Sequence, residues 1–179
     1  MLFENLAINP DIQLKAANPA FVQSLWDLVQ RHRNFLEKWM DWPQNLQNEP
    51  DVARYLREMH LFNQGQQHFF CFIFKQQTLA GSIALLKRDK VHHTAEIAFW
   101  KHPQLISKPE MHLICKTFIQ FVWENDFLQR LEIQTLSSNI PAKKLATTLG
   151  FELEGCKRRA ICRKEQYYDL EIYGLLKHK

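Results

Sequence analysis

Residues 131–160 read LEIQTLSSNIPAKKLATTLGFELEGCKRRA, and the rest of the chain is understood from this stretch outward. Leu131, Ile133 and Thr135 alternate with Glu132, Gln134 and Leu136, the period of two expected of a strand. Ser137, Ser138 and Asn139 break that pattern, and any of the three can cap a helix. Ala142, Leu145, Ala146 and Leu149 follow at helical spacing; Gly150 is placed as the C-terminal stop and Phe151 reopens a strand. A strand that ends in polar residues beside a new helix N-terminus is a good place to hold a ligand. Function is sought there first.

Composition sets the outer bounds. At 179 residues the chain is long enough for one domain with a sizeable core, and a single domain spanning 1–179 is expected. Hydrophobic residues at 46% and charged residues at 23% are ordinary for a globular protein. A formal charge of +4 does not demand nucleic acid and does not oppose an acidic ligand. Cys71, Cys115, Cys156 and Cys162 show no C-x-x-C spacing, and reduced, mostly buried thiols are expected. His92, His93, His102 and His112 lack metal spacing with carboxylates or cysteines, so no metal is expected. Neither a signal peptide nor an apolar run of membrane-spanning length is read, which points to a cytoplasmic protein.

Taken in order, residues 11–16 read as a first strand. Asn18-Pro19 opens a helix whose apolar stripe runs from Phe21 to Trp39. Trp39, Met40, Trp42 and Pro43 end it in a bulky loop, either a plug over the core or a wall of a substrate cleft. Glu49-Pro50-Asp51 opens a second helix to about Gly65. HFFCFIFK and TLAGSIALLK are the second and third strands, joined near Gln76-Gln77. The second is apolar at nearly every position, so it should be central and covered on both faces. Lys87 to His92 reads as a polar turn and Thr94 to Trp100 as a fourth strand, with Glu96 on the face of Ala98 and Trp100. His102-Pro103 breaks it, residues 109–124 form a strong helix, and Gln166 to Leu176 closes the chain as a strand. The expected fold class is α/β (α+β mixed): one central mixed sheet of about 6–7 strands with helices on both faces.

This order, together with local wording, resembles the GNAT acyl-CoA N-acetyltransferases, in particular the RimJ/RimL-like branch that acetylates ribosomal-protein N-termini. The carrying residues are Leu79-Ala-Gly81, His93 to Trp100, Arg130-Leu-Glu-Ile133, Asn139, Leu149 to Gly155 and Tyr168-Asp169. The resemblance covers roughly residue 10 to the end. It implies a GNAT fold in which the fourth and fifth strands splay apart, acetyl-CoA as co-substrate, and an amine acceptor, such as a protein N-terminus. It also leaves a homodimer open.

In such a fold three physical parts are needed. The pyrophosphate of CoA sits at the N-terminus of the helix after strand four, where free N–H groups and the dipole meet it. Family members carry Gln/Arg-x-x-Gly-x-Gly/Ala there, whereas this chain has Gln104-Leu-Ile-Ser-Lys-Pro109, with Ser107 and Pro109 in the second half of the motif. The cofactor-binding residues implied are Ala98, Phe99, Ile106, Ser107, Lys108, Asn139 and Lys143. The second part is main-chain pairing of pantetheine in the splay between Glu96–Trp100 and Glu132–Leu136. The third is proton handling, for which Glu96 matches the carboxylate that the family offers as a water-mediated base; its alternative is a pair with a strand neighbour. Ala142, Ala146 and Ile161 stand where the family or its ribosomal branch places Ser, Tyr or a carboxylate, and these side chains move no proton. Ser137, Ser138 and Tyr168 are the remaining hydroxyl candidates.

Three readings stay open. The first is an N-acetyltransferase acting by direct attack on acetyl-CoA. The second is a catalytically degenerate GNAT-fold binding or regulatory protein with an impaired pyrophosphate loop. The third, a nucleic-acid module built on Lys157-Arg158-Arg159 and Arg163-Lys164, is better explained by a solvated sheet edge.

Overall fold

The computed structural model describes residues 3–65, 67–163 and 165–177, so Lys164 of the second basic pair lies outside them. Eight strands form one sheet: β1 (Asn5–Ala7), β2 (Ile12–Ala16), β3 (Phe69–Lys75), β4 (Thr78–Asp89), β5 (Thr94–Lys101), β6 (Arg130–Leu136), β7 (Glu152–Arg163) and β8 (Gln166–Leu176). Their spatial order is β1-β2-β3-β4-β5-β6-β8-β7, antiparallel throughout except for the parallel pair β5–β6. One more strand is present than the expected 6–7. The addition is β1, three residues pairing with β2, too short to show a period in sequence. β4 also runs on to Asp89, into the polar turn expected over Lys87 to His92, by way of a register shift between Leu86 and Asp89.

Helices cover both faces. On one lie α1 (Val22–Glu37) and α2 (Glu49–Gln64), whose Leu25, Leu28, Val29, Val52, Leu56 and Met59 pack on Phe72, Phe74 and Leu79. On the other lie α3 (Lys108–Asn125) and α4 (Ile140–Thr148), with Met111, Ile114, Phe118, Val122 and Ala146 against Ile73, Ile83, Ile97 and Ile133. The apolar run of β3 is therefore split between two cores: Cys71 and Ile73 face one and Phe72 and Phe74 the other. Three of the four helices start on a side-chain cap, Asn48 ahead of α2, Ser107 ahead of α3 and Asn139 ahead of α4, while Asn18 caps the short turn Pro19–Phe21 that leads into α1. Gly150, at φ +90°, takes the left-handed turn that ends α4.

Two thiols depart from the expected burial. Cys71 and Cys115 are buried, but Cys156 and Cys162 are exposed on β7. That strand is the sheet edge and is exposed along most of its length, so its apolar and polar positions alike meet water. The basic residues Lys157, Arg158 and Arg159 lie on this edge, where charge and the register shift between Lys157 and Ile161 discourage strand addition.

Candidate active site

The sheet opens at one place. β5 and β6 pair only at Thr94–Arg130, Ala95–Leu131 and Glu96–Glu132, after which each keeps its other neighbour and the two diverge. The main chain of Ile97–Lys101 and Ile133–Leu136 is thus unpaired on the sides that face each other. At Gly81 the neighbouring β4 approaches so closely that a Cβ would sit 2.5 Å from the Trp100 carbonyl oxygen, so only glycine fits beside this part of β5.

A cleft of about 350 Å³ fills the divergence and extends to the α1–α2 face. Ala98 and Phe99 line it from β5, Thr135 and Gln134 from β6, and Asn139 and Ala142 from the start of α4. Trp39, Met40 and Trp42, from the loop after α1, form the outer wall, while Met40 and Trp42 also pack on the α1–α2 core beside buried Pro43, so the loop is both plug and wall. Trp42 stacks on Tyr55 with centroids 5.5 Å apart and tilts against Trp100 at 5.7 Å, so the wall is rigid and apolar. Burial, then the carboxylate of Glu58, pushes the Tyr55 phenol well above its ordinary range and keeps it protonated.

The other residues singled out in sequence fall around this cleft in different ways. Glu96 lies two residues before Ala98 on the same face, outside the cleft lining, and accepts a bond from Lys87 Nζ at 2.8 Å. Asn139 caps α4 through the Ala142 N–H at 3.4 Å while also lining the cleft. Lys143 is turned away to β8, donating to Glu171 Oε1 at 2.8 Å and to the Ser137 carbonyl at 3.2 Å. Ala142 and Ile161 line the cleft and Ala146 is fully buried, so none of the three positions supplies a proton donor. The Tyr168 hydroxyl donates to Gln166 Oε1 at the tip of the β7–β8 hairpin, and neither Ser137 nor Ser138 lines the cleft.

The segment between β5 and α3 is tightly self-bonded. The N–H groups of Gln104 and Leu105 both donate to His102 Nδ1 at 3.2 Å, and Ile106 N–H donates to the His102 carbonyl. With Nδ1 accepting, neutral His102 carries its proton on Nε2, which donates to His32 Nε2 at 2.9 Å. Helical φ/ψ in α1 is interrupted at that same His32. Burial, then His32 and Lys101, lowers the His102 pKa.

Ser107 and Glu110 form a reciprocal capping box: Ser107 N–H donates to Glu110 Oε2 at 2.8 Å and Glu110 N–H to Ser107 Oγ at 3.3 Å. Pro109 has no N–H. Lys108 N–H is therefore the one first-turn donor left without a protein partner among the described residues. Lys75 bonds Glu110 at 2.7 Å; that bond, with those from Ser107, pulls the Glu110 pKa down to about 2. Ile106 is buried and its N–H is spent, so of the three loop residues expected to hold pyrophosphate only Lys108 presents a free main-chain donor. The Lys101 ammonium caps the Ile106 carbonyl beside it.

Three site features escaped the sequence reading. The Ser107-x-x-Glu110 box was visible as a pattern and was read only as lost glycines. Tyr55 falls within the second helix expected from sequence, where nothing local points it toward a ligand. Arg163, read as sheet-edge charge, does stand on the edge strand β7 and also lines the cleft, a position set by long-range strand pairing, for which no local signal exists. Among the described residues no three His, Cys, Asp or Glu side chains converge as a metal site requires.

An opened parallel pair, a helix N-terminus beyond one strand and a second helix beside the other define the acyl-CoA N-acetyltransferase architecture. The chain belongs to the GNAT acetyltransferases: it matches the family described as "Acetyltransferase (GNAT) domain" over residues 14–152. It is an acetyl-CoA-dependent N-acetyltransferase of that family. It is 24% identical over 171 residues to the ribosomal-protein-serine acetyltransferase of Escherichia coli (strain K12), covering 96% of each chain. Among solved structures it superposes at TM-score 0.91 and 21% identity on RimL, a ribosomal L7/L12 alpha-N-protein acetyltransferase in complex with coenzyme A, covering 97% of this chain and 98% of that one. The microcin C7 self-immunity acetyltransferase MccE, in complex with acetyl-CoA and AMP, gives the same TM-score at 22% identity, covering 97% of each chain. Among the described residues no helix is long and apolar enough to cross a membrane.

Proposed function

We propose that this chain, acting as one GNAT unit, acetylates the N-terminal amine of a protein or peptide of the ribosomal type in the cytoplasm. The observation that carries this reading is the β5–β6 opening, which leads straight into an aromatic-walled cleft on the α1–α2 face. The unpaired edges of Ile97–Lys101 and Ile133–Leu136 fit the amides of pantetheine, a pairing that depends on main chain and tolerates side-chain change. Ala98, Phe99 and Asn139 flank that arm, and Lys108 N–H with the Lys101 and Lys108 ammonium groups meets the phosphates. Lys143 contributes there only after leaving Glu171.

Acetyl-CoA supplies the activated acyl group. Attack of the neutral amine on its thioester carbon forms the C–N bond, breaks the C–S bond, and leaves one amine proton to be removed and one thiolate to be protonated. Glu96 is the proposed base, reached from the cleft through water, because it shares the acceptor face with Ala98. Its partner Lys87 is 68% exposed and therefore a weak, exchangeable hold. Much of the acceleration then rests on orientation in the cleft rather than on a dedicated acid.

The test is a thermal melt with acetyl-CoA, followed by transfer to N-terminal ribosomal-protein peptides. Ligand at about a hundred times its Kd stabilises by about 2.7 kcal/mol. A melt unmoved by millimolar acetyl-CoA rejects the reading and favours a binding protein. Glu96→Gln is expected to keep the acetyl-CoA shift and slow transfer by about 100-fold or more; unchanged turnover removes Glu96 as base.

A further inference from the structure

Arg163 is the one charged side chain among the described residues that line the cleft, and its guanidinium is under-used. It stands at the end of β7 and reaches over the opening to Asp41, in the loop that carries Trp39, Met40 and Trp42. Nε lies 2.9 Å from Asp41 Oδ1 and Nη2 donates to Oδ2 at 3.3 Å, which joins the two walls of the cleft across 122 residues of sequence. The Nε contact is too bent to count as a hydrogen bond, and Nη1 is buried with no partner at all. The Asp41 side chain is 62% exposed while that of Arg163 is 20% exposed, so a screened anion holds a largely buried cation.

A buried guanidinium with unused donors is costly to maintain, and its ion-pair partner Asp41 leaves Nε and Nη1 unsatisfied. We propose that Arg163 is a specificity-determining residue for the acceptor: it leaves its bent contact with Asp41 and donates, through Nη1, to a carboxylate carried near the amine, as on an aspartyl or glutamyl side chain. A carboxylate suits it better than a neutral carbonyl. The cleft is otherwise apolar or neutral, and an anion both satisfies the donors and cancels the one buried charge. The inference rests on the acetyltransferase reading above and adds the class of acceptor.

The experiment compares two peptides that differ only by Asp or Asn at the second or third residue, with wild type, Arg163→Gln and Arg163→Lys. Wild type is expected to prefer the Asp peptide. Arg163→Gln raises KM for that peptide about 10- to 100-fold with kcat and the Asn peptide little changed, and Arg163→Lys restores part of the preference. The acetyl-CoA melting shift is the same in all three proteins. A normal shift with no Asp preference in wild type, or an equal loss on both peptides in Arg163→Gln, overturns the inference alone. No shift in wild type removes the acetyltransferase reading and this inference with it.

Discussion

The two ends of the β5–β6 opening treat their main chain in opposite ways. Along Ile97–Lys101 and Ile133–Leu136 the backbone faces an open cleft with its pairing groups unspent. A few residues on, from His102 to Glu110, nearly every N–H is already committed: to His102 Nδ1, to the His102 carbonyl or to the Ser107–Glu110 box. In a family that grips its cofactor at both places, this chain has kept the strand end and altered the helix end. Affinity for acetyl-CoA should therefore come chiefly from the pantetheine arm. On the proposed reading the phosphates would be met by Lys101 and Lys108, acting as point charges rather than as a shaped cradle.

The largest effect should come from closing the open end. Ala142 lines the cleft at the first turn of α4, and a large ring placed there fills the space between the two strands. Ala142→Trp is expected to abolish both transfer and the acetyl-CoA melting shift, because the arm loses its main-chain partners. Because Ala142 is only partly buried, the melting temperature without ligand should stay within about 2 °C of wild type, far less than a core substitution would cost. Retained binding in this variant would mean that the helix end holds the cofactor after all, and would reverse the comparison.

Much of the strand end was legible in sequence. The period of two over Leu131–Leu136, the Asn139 cap and the Gly150 stop are local signals, and local signals survive into the structure because short-range sterics and capping set them. The fold class followed from element order alone. At the helix end the residues replacing the glycines, Ser107 and Pro109, and the Ser107-x-x-Glu110 spacing are both visible in sequence. The N–H groups are consumed locally, by His102 Nδ1 and by the Ser107–Glu110 box, but the side chains that hold those acceptors come from afar: His32 meets His102 across 70 residues and Lys75 meets Glu110 across 35. Arg163 and Asp41 illustrate the same limit: one lies in a basic strand and the other in an aromatic loop, and only the tertiary fold brings them together across 122 residues.

A smaller, pH-dependent effect separates the ends further. His102 has a lowered pKa because burial, His32 and Lys101 all oppose its charge, and its Nδ1 accepts two N–H groups only while unprotonated. As pH falls below the ordinary histidine value of about 6.5, the unfolded chain binds a proton that the native state refuses, so stability falls. Above that range the contribution is complete. Wild type should thus lose stability and acetyl-CoA affinity between about pH 7 and pH 5.5. His102→Asn, which offers an acceptor oxygen near the place of Nδ1 without titrating, should flatten that part of the profile. The difference between the two curves isolates His102 from the other histidines. Parallel curves would show that the loop does not depend on the His102 acceptor.

The smallest effect has an unusual sign. Glu110 places a carboxylate, held by Lys75 at 2.7 Å, on the helix N-terminus that would otherwise greet an anion. It stabilises the fold through the capping box and the helix dipole, worth about 0.5–2 kcal/mol for the cap. The same carboxylate occupies donors and adds negative charge where the proposed phosphate contacts lie. Glu110→Gln keeps a side chain able to accept from Ser107 N–H, removes the charge and releases Lys75. We expect it to lower the melting temperature by a few degrees yet tighten acetyl-CoA by about 2- to 5-fold, roughly the 0.4–1 kcal/mol of one screened charge contact. In Ala142→Trp, where the arm cannot enter, the same change should rescue nothing. Weaker cofactor binding in Glu110→Gln would show that the capping box shapes the phosphate site rather than competing with it. The altered loop would then be a working substitute for the missing glycines.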